Sequence, residues 1–329
     1  MAISIQRSWT TSALIAASLA SVIGVTGCAK KPEQQATTKQ ETTTLNIGFQ
    51  KYGILPILKA KGELEKNLAA QGVTVKWVEF PAGPQLLEGL NVGSVVFGET
   101  GEAPPIFAQA ANRNLVYIAN QPAAATAEAL IVPKDSPIQS IQDLKGKRVA
   151  LNKGSNVHYL LLKLLEANNL TLKDIQPVYL PPADARAAFE KGAVDAWVIW
   201  DPFLAAAEQQ IHARQIANGE HLVSNHQFYL SDRQFAESHP AVLNTLVTTL
   251  NQTTDWVKTH PDAAAQLLEK PTALELDILK TSISRMGFGV LPISEKVAKE
   301  QQYIADAFYA QQLIPKQLVI QDALLPPKK

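Results

Sequence analysis

Leu45-Asn46-Ile47-Gly48-Phe49, Val73-Thr74-Val75-Lys76-Trp77-Val78-Glu79 and Ser94-Val95-Val96-Phe97 are three short runs of β type. The stretches between them carry apolar residues at helical spacing, the first up to Gly72 and the second over 85–90. Strand, helix, strand, helix, strand is the rhythm of a parallel α/β sheet, in which each parallel pair needs a crossover long enough to hold a helix. The pattern goes on with a helix over 105–111, strands over 115–119 and 128–132, and the turn Pro133-Lys134-Asp135-Ser136-Pro137. A second series then starts: a strand over 148–151, a helix over 155–168, a strand over 175–180, a helix over 183–191 and a strand over 194–200.

From about Asp232 only helical patterns remain, over 239–260, 273–286 and 294–311. Helices with one apolar face need a sheet to cover. The expected fold class is therefore α/β with two lobes: 45–130 forms the first part of lobe 1, 131–228 forms lobe 2, and 229–329 returns to lobe 1 as helices. Strands near 128–132 and 227–230 make the crossings. Ligands of open α/β sheets bind where loops at strand C-termini converge, so two such lobes imply a cleft between them that a hinge can close.

The 329 residues carry thirty basic and thirty acidic side chains, which gives no electrostatic reason to expect nucleic acid as a partner. Upstream of the α/β pattern, Arg7 precedes an apolar run over 13–25 that is too short to span a bilayer, so 1–27 reads as a signal peptide. It ends Val25-Thr26-Gly27-Cys28, similar to a bacterial lipobox, and Cys28 is the one cysteine of the chain. With no partner for a disulfide, Cys28 is expected to carry lipid. Residues 28–44 hold Lys, Pro, Glu, Gln and Thr and almost nothing apolar, the composition of a flexible tether. The domain that follows is then expected outside the cytoplasmic membrane.

No Walker-type loop, Gly-x-Ser-x-Gly elbow or His-Glu-x-x-His run occurs in the sequence, and no cysteine follows Cys28, which speaks against an enzyme. The six histidines lack metal-ligand spacing, so no metal and no cofactor are expected; His158 alone stands in a candidate loop. Three glycine-containing loops each follow a strand: Gln50-Lys51-Tyr52-Gly53, Glu99-Thr100-Gly101-Glu102-Ala103-Pro104-Pro105, and Lys153-Gly154-Ser155-Asn156-Val157-His158. In the third, Gly154 permits a sharp turn, and Ser155 and Asn156 stand at a helix N-terminus where hydroxyl, carboxamide and backbone N–H groups can meet an anion. The alternative is that Ser155 caps its own helix.

Longer runs carry a resemblance. Ile47-Gly48-Phe49-Gln50-Lys51, Glu79-Phe80-Pro81-Ala82-Gly83-Pro84-Gln85-Leu86-Leu87, Pro182-Ala183-Asp184-Ala185-Arg186 and Val194-Asp195-Ala196-Trp197-Val198-Ile199-Trp200-Asp201-Pro202 are similar to the aliphatic sulfonate-binding protein family, relatives of taurine- and nitrate-binding proteins. The likeness runs almost without a break from Leu45 to about Tyr229. It implies a type II periplasmic-binding fold, a monomer that delivers a sulfonate to the membrane permease and ATPase of an ABC importer, and ligand contacts at Gln50, Gly83, Thr100, Gly101, Ser155, Asn156, Trp200 and Asp201; Lys51, Glu102 and His158 join them as neighbours in the same loops. A sulfonate is always ionised and has no proton to donate, so a matching site is rich in donors and needs no counter-charge.

Trp200 either offers an apolar face to the alkyl group or fills the core between the lobes. Asp184 and Arg186 read as a structural pair or cap. Relatives have aspartate after Thr-Gly where this chain has Glu102, one methylene longer. Beside an anion that carboxylate must pair with Lys51 or Arg186, or meet a cationic part of the ligand. Rival ligands on the same fold are taurine, a sulfate ester, nitrate or a pyrimidine.

Overall fold

A computed structural model describes residues 43–111 and 114–325. The signal-peptide, tether and Cys28 expectations lie outside these residues, apart from the last two positions assigned to the tether. Strands and helices follow in the order β1 (Thr43–Phe49), α1 (Ile54–Lys61), α2 (Glu63–Ala69), β2 (Val73–Glu79), α3 (Gly83–Asn91), β3 (Phe97–Gly101), α4 (Ala103–Ala110), β4 (Leu115–Asn120) and β5 (Glu128–Val132). Then come β6 (Arg148–Leu151), α5 (Asn156–Ala167), β7 (Gln176–Tyr179), α6 (Pro182–Glu190), β8 (Ala196–Trp200), α7 (Phe203–Gln210), β9 (Arg214–Asn218) and β10 (Gln227–Asp232). Five helices close the chain: α8 (Arg233–Ser238), α9 (Pro240–Thr259), α10 (Pro261–Thr272), α11 (Leu276–Ser284) and α12 (Glu295–Ala310).

The strands form two five-stranded sheets, β2-β1-β3-β10-β4 and β7-β6-β8-β5-β9. In the first, β1 lies parallel to β2 and β3, and β10 is antiparallel to β3 and β4. The second repeats the plan: β6 is parallel to β7 and β8, and β5 is antiparallel to β8 and β9. In each sheet the antiparallel strand is the one that arrives from the other sheet. The chain crosses over 121–127 and returns over 219–226, and the crossings run side by side: Gln121 N–H donates to Gln227 O at 2.8 Å and Ala124 N–H to Ser224 O at 3.0 Å. A Cβ at Gly219 would stand 2.6 Å from Ala125 O, so only glycine lets the return segment lie this close.

Each sheet is covered on both faces, so the inner strands β3, β5 and β8 are buried almost throughout, while the edge strands β2 and β7 are partly exposed. Leu45, Ile47 and Phe49 of β1 meet α1, α9 and α10 on one face of the first sheet, while Leu86, Leu90, Ile106 and Phe308 cover the other. In the second sheet Leu160, Leu161 and Leu164 of α5 pack on one face, and Phe189, Trp197 and Leu204 on the other. Each such side chain contributes about 1.5–3 kcal/mol on burial. The C-terminal helices supply much of the first sheet's cover. Buried Val242, Leu243, Leu246, Leu250 and Val257 make a helical stripe on α9 that packs on α1 and α2, and Val297, Ile304, Ala305 and Phe308 make one on α12 that packs on α4.

Several elements differ from the sequence reading, which placed none at α7, β9 or α8. The helix expected to run unbroken to Gly72 is split at Gly62, whose φ of +64° ends α1 and starts α2. The strand expected over 94–97 instead spans Phe97–Gly101, because Val96 and Phe97 are only its entry and β10 pairs with it through Gly101. Helix α10 was not anticipated: Pro261 sits in its first turn, where the missing N–H costs nothing.

Candidate functional site

Three helices start around one point. Gly83 opens α3, Pro104 lies in the first turn of α4, and Ser155 and Asn156 stand at the start of α5. With Gly101 at the end of β3 they line a pocket of about 50 Å³. The remaining wall, Gln50, Trp200 and Gln227, is shared with a second cavity of about 550 Å³, so narrow and wide spaces adjoin. No residue lining the narrow pocket bears a formal charge. Its polarity comes from the side chains of Gln50, Ser155, Asn156 and Gln227 and from the positive ends of helix dipoles, which favour an anion.

Ser155 does not cap α5: its hydroxyl donates backward to Asn152 O at 2.7 Å and no side chain bonds the first-turn amides. Asn156 has a bridging role. Its Oδ1 accepts from Ala103 N–H at 3.4 Å, and its Nδ2 donates to Asn225 Oδ1, while Asn225 Nδ2 donates to Ala124 O at 2.9 Å. One carboxamide thus ties α5 to α4 and to both crossings. Gly101 lies flush against it, for a Cβ there would fall 2.0 Å from Asn156 Oδ1. A Cβ at Gly83 would meet Pro104 Cγ at 2.9 Å and Thr100 Cβ at 3.1 Å. Both glycines are required by close approach, since neither has a positive φ.

The wide cavity mixes apolar wall with ionisable groups at its rim and floor. Trp200, half-buried at the end of β8, lines both cavities and packs against both cores of the second sheet. At the rim Lys51 pairs with Glu79 at 3.8 Å. Arg186 bonds Glu190 at 2.7 Å and Gln210 at 2.8 Å, which corrects the expected pair with Asp184: the partner is one helical turn ahead of Arg186, where side chains of a helix meet. Asp201 lies on the floor, with Oδ1 accepting from Ala205 N–H at 3.1 Å and from Arg285 at 3.4 Å. Burial pushes its carboxyl up to about 6 even though Arg285 acts against the rise. Glu99, on the same floor, accepts from Gln121 Nε2 at 2.9 Å and from the amides of Ile54 and Leu55, and burial pushes it up to about 7.

Gln50, Gly83, Gly101, Ser155, Asn156, Trp200, Lys51 and Asp201 all line one cavity or the other. Thr100, Glu102 and His158 line neither. Thr100 is buried beneath Gly83, its hydroxyl donating to Gly101 O at 3.0 Å. Glu102 pairs with neither Lys51 nor Arg186, because it turns into the protein behind the pocket. There its Oε2 accepts from His226 N–H at 2.9 Å, and burial raises its carboxyl to about 7. His158 is a core residue, packed against Tyr179 and Phe308, with Nδ1 accepting from Gly154 N–H at 3.2 Å; burial, aided by Lys153, lowers it to about 4.

The sequence reading missed Tyr52 and Glu99 as cavity wall, and it missed Asn225 and Gln227 altogether. The first two stood inside quoted loops, and attention to loop glycines passed over them. Asn225 carries a signal of its own, a polar residue with a φ of +51° between two extended segments, but the conformation is not visible in the letters. Among the described residues no group of three His, Cys, Asp or Glu could hold a metal ion.

Comparison with known proteins adds to this geometry. The NMT1/THI5-like family profile matches residues 68–264. An Escherichia coli protein described as an aliphatic sulfonates-binding protein is 42% identical over 285 residues, 86% of this chain and 89% of that one. The alkanesulfonate-binding protein SsuA from Xanthomonas axonopodis pv. citri, solved bound to MOPS, matches with a TM-score of 0.82 and 40% identity over 86% of this chain and 98% of the other. The periplasmic aliphatic sulphonate binding protein SsuA from Escherichia coli matches with a TM-score of 0.79 and 41% identity over 87% of this chain and 93% of the other. The chain belongs to the NMT1/THI5-like family and to its relatives' group, the aliphatic sulfonate-binding proteins.

Proposed function

We propose that the chain captures an alkanesulfonate, with the sulfonate in the narrow pocket and the organic group in the wide cavity against Trp200, and releases it to the permease of an ABC importer. The observation that carries the reading is the narrow pocket itself: about 50 Å³, bordered by the starts of three helices, without a charged side chain. Dipoles there replace the hydration of an oxyanion. A phosphate monoester near neutral pH often keeps a proton and calls for an acceptor to receive it, whereas a sulfonate needs donors alone.

On this reading the chain performs no reaction of its own; it works as a monomer, binds no nucleic acid and carries no cofactor. The relatives named above are binding proteins, one of them periplasmic. We further propose that residues 1–27 direct export, that Cys28 is lipidated and that 28–44 tethers a domain of two lobes, 45–130 with 229–329 and 131–228, to the membrane. Calorimetric titration with ethanesulfonate, butanesulfonate, taurine, sulfate and nitrate tests the ligand class. Stoichiometric binding of the alkanesulfonates, with sulfate and nitrate at least a hundredfold weaker, is expected. Equal affinity for all five, or no binding, overturns the reading.

A further inference from the structure

Three acids line the wide cavity, and two already have cations: Glu79 has Lys51 and Asp201 has Arg285. Glu99 differs. It is 8% exposed, yet no lysine, arginine or histidine among the described residues stands within ion-pair distance of it. Its neighbours are neutral: Gln121 Nε2, the amides that open α1, the backbone of Gly53, and beyond Gln121 the Tyr229 hydroxyl.

Its position relative to the narrow pocket is fixed by the strand. Glu99 and Gly101 are alternate residues of β3, so they share a face of the sheet about 6.6 Å apart. Gln50 spans the two, lining both cavities while its Nε2 donates to Glu99 O at 3.4 Å. A ligand whose anion sits at Gly101 therefore extends past Gln50 toward an unpaired, buried carboxyl. A cation at that end of the ligand supplies the charge that Glu99 lacks.

Building on the sulfonate reading, we propose that Glu99 is an ammonium subsite and that the preferred ligands are ω-aminoalkanesulfonates with a linker of roughly three carbons, the length set by the spacing along β3. The competing account is that Glu99 serves only to cap α1 through the amides of Ile54 and Leu55. A cap is indifferent to the far end of the ligand, and an ion pair is not.

A matched pair of ligands separates these accounts: 3-aminopropane-1-sulfonate and 1-butanesulfonate have the same length and differ by ammonium against methyl. Both are titrated into the intact chain and its E99Q variant in phosphate and in Tris at pH 7, buffers that contain no sulfonate. The wild type is expected to prefer the amine at least tenfold, and E99Q to lose at least tenfold of that preference. General damage to the fold weakens both ligands alike and leaves their ratio in place, so the ratio reads the subsite. A second readout uses the wild type alone. Burial raises the Glu99 carboxyl to about 7, so forming the ion pair near that pH releases protons that butanesulfonate binding does not. The two buffers reveal the release through their different heats of ionisation. Tight butanesulfonate binding with no preference for the amine and no proton release overturns the subsite and leaves the sulfonate reading intact. Failure of both ligands to bind overturns the sulfonate reading and the subsite with it.

Discussion

Replacing Gly101 by alanine should abolish ligand capture and cost several kcal/mol of stability. The added methyl would lie 2.0 Å from Asn156 Oδ1 and 2.1 Å from Nδ2, far inside contact distance, so the carboxamide must leave. Leaving breaks its bond from Ala103 N–H and its bond to Asn225, both buried. Two lost hydrogen bonds with their partners left unsatisfied cost about 2–4 kcal/mol, and overpacking adds about 1–3 kcal/mol, for a total near 5 kcal/mol. The same displacement drives the side chain toward a pocket of about 50 Å³, which cannot hold both it and an oxyanion. Urea unfolding gives the stability change and calorimetry with butanesulfonate gives the binding. Gly93→Ala is the control: its φ is +75° but a Cβ there meets nothing within 4 Å, so it should lose only the backbone term of about 1–2 kcal/mol and bind normally. If Gly101→Ala binds butanesulfonate as tightly as wild type, the pocket is not where the anion sits.

Other outcomes follow from the same geometry. Stability should fall as pH rises from 6.5 to 7.5. Glu99 and Glu102 are raised from 4.5 to about 7, so over that interval the unfolded chain binds fewer protons than the native one. Each group contributes at most about 3 kcal/mol, fully present below pH 4.5 and lost as pH rises through 7. His158, lowered to about 4, acts in the opposite sense, withdrawing stability as pH falls below 6.5. Urea midpoints at pH 6.5, 7.0 and 7.5 check this, and a rising midpoint contradicts it. Affinity for linear alkanesulfonates should grow by about 0.8 kcal/mol per methylene while the chain still covers apolar wall, and Trp200→Ala should weaken butanesulfonate more than methanesulfonate in calorimetry. Arg285→Ala strips Asp201 and Glu208 of their shared cation and should destabilise by about 3 kcal/mol in urea, with Asp201→Asn in the same chain recovering part of the loss. Cys28→Ser should move the protein from the membrane fraction to the soluble fraction on cell fractionation.

Much of the alternation of strand and helix was legible because burial on both faces leaves β4, β5 and β8 as short apolar runs. The narrow pocket was legible in part: Gly101, Ser155 and Asn156 stand in loops after strands, where the letters mark a turn, while Gly83 came only from the family resemblance. What could not be read was direction. Glu99 and Glu102 lie in one loop with Thr100 and Gly101 between them, and the pleat turns Glu99 to the wide cavity, while Glu102, just past the end of β3, points back toward His226. The sequence reading assigned charge near the ligand to Glu102, three positions from the residue that faces the cavity. Asn225 and Gln227 were out of reach for another reason: they come to the pocket from the far side of the second crossing, more than 100 positions from Gly101, through pairing of β10 with β3.

A neutral pocket backed by acids raises the question of why those acids do not repel the ligand. Glu102 lies directly behind Gly101, and Glu128, fully buried with both oxygens unpartnered, feels its charge. Were both ionised, an anion at Gly101 would meet two negative charges across a low-dielectric wall, at a cost of several kcal/mol. Burial removes the conflict, because it raises Glu128 well above its ordinary range and Glu102 to about 7, and a protonated carboxyl presents a weak dipole where a charge would stand. The field in the pocket is then left to the three helix starts. An anion bound there should in turn hold the proton on Glu102 more firmly. Binding of butanesulfonate should therefore weaken as pH climbs from 7 to 9, although neither the ligand nor any pocket-lining side chain titrates in that range. Glu102→Gln should reduce the slope and leave the part contributed by Glu99, also raised to about 7 in the adjoining cavity, and a wild-type affinity that stays constant to pH 9 would show that the acids behind the wall do not reach the ligand.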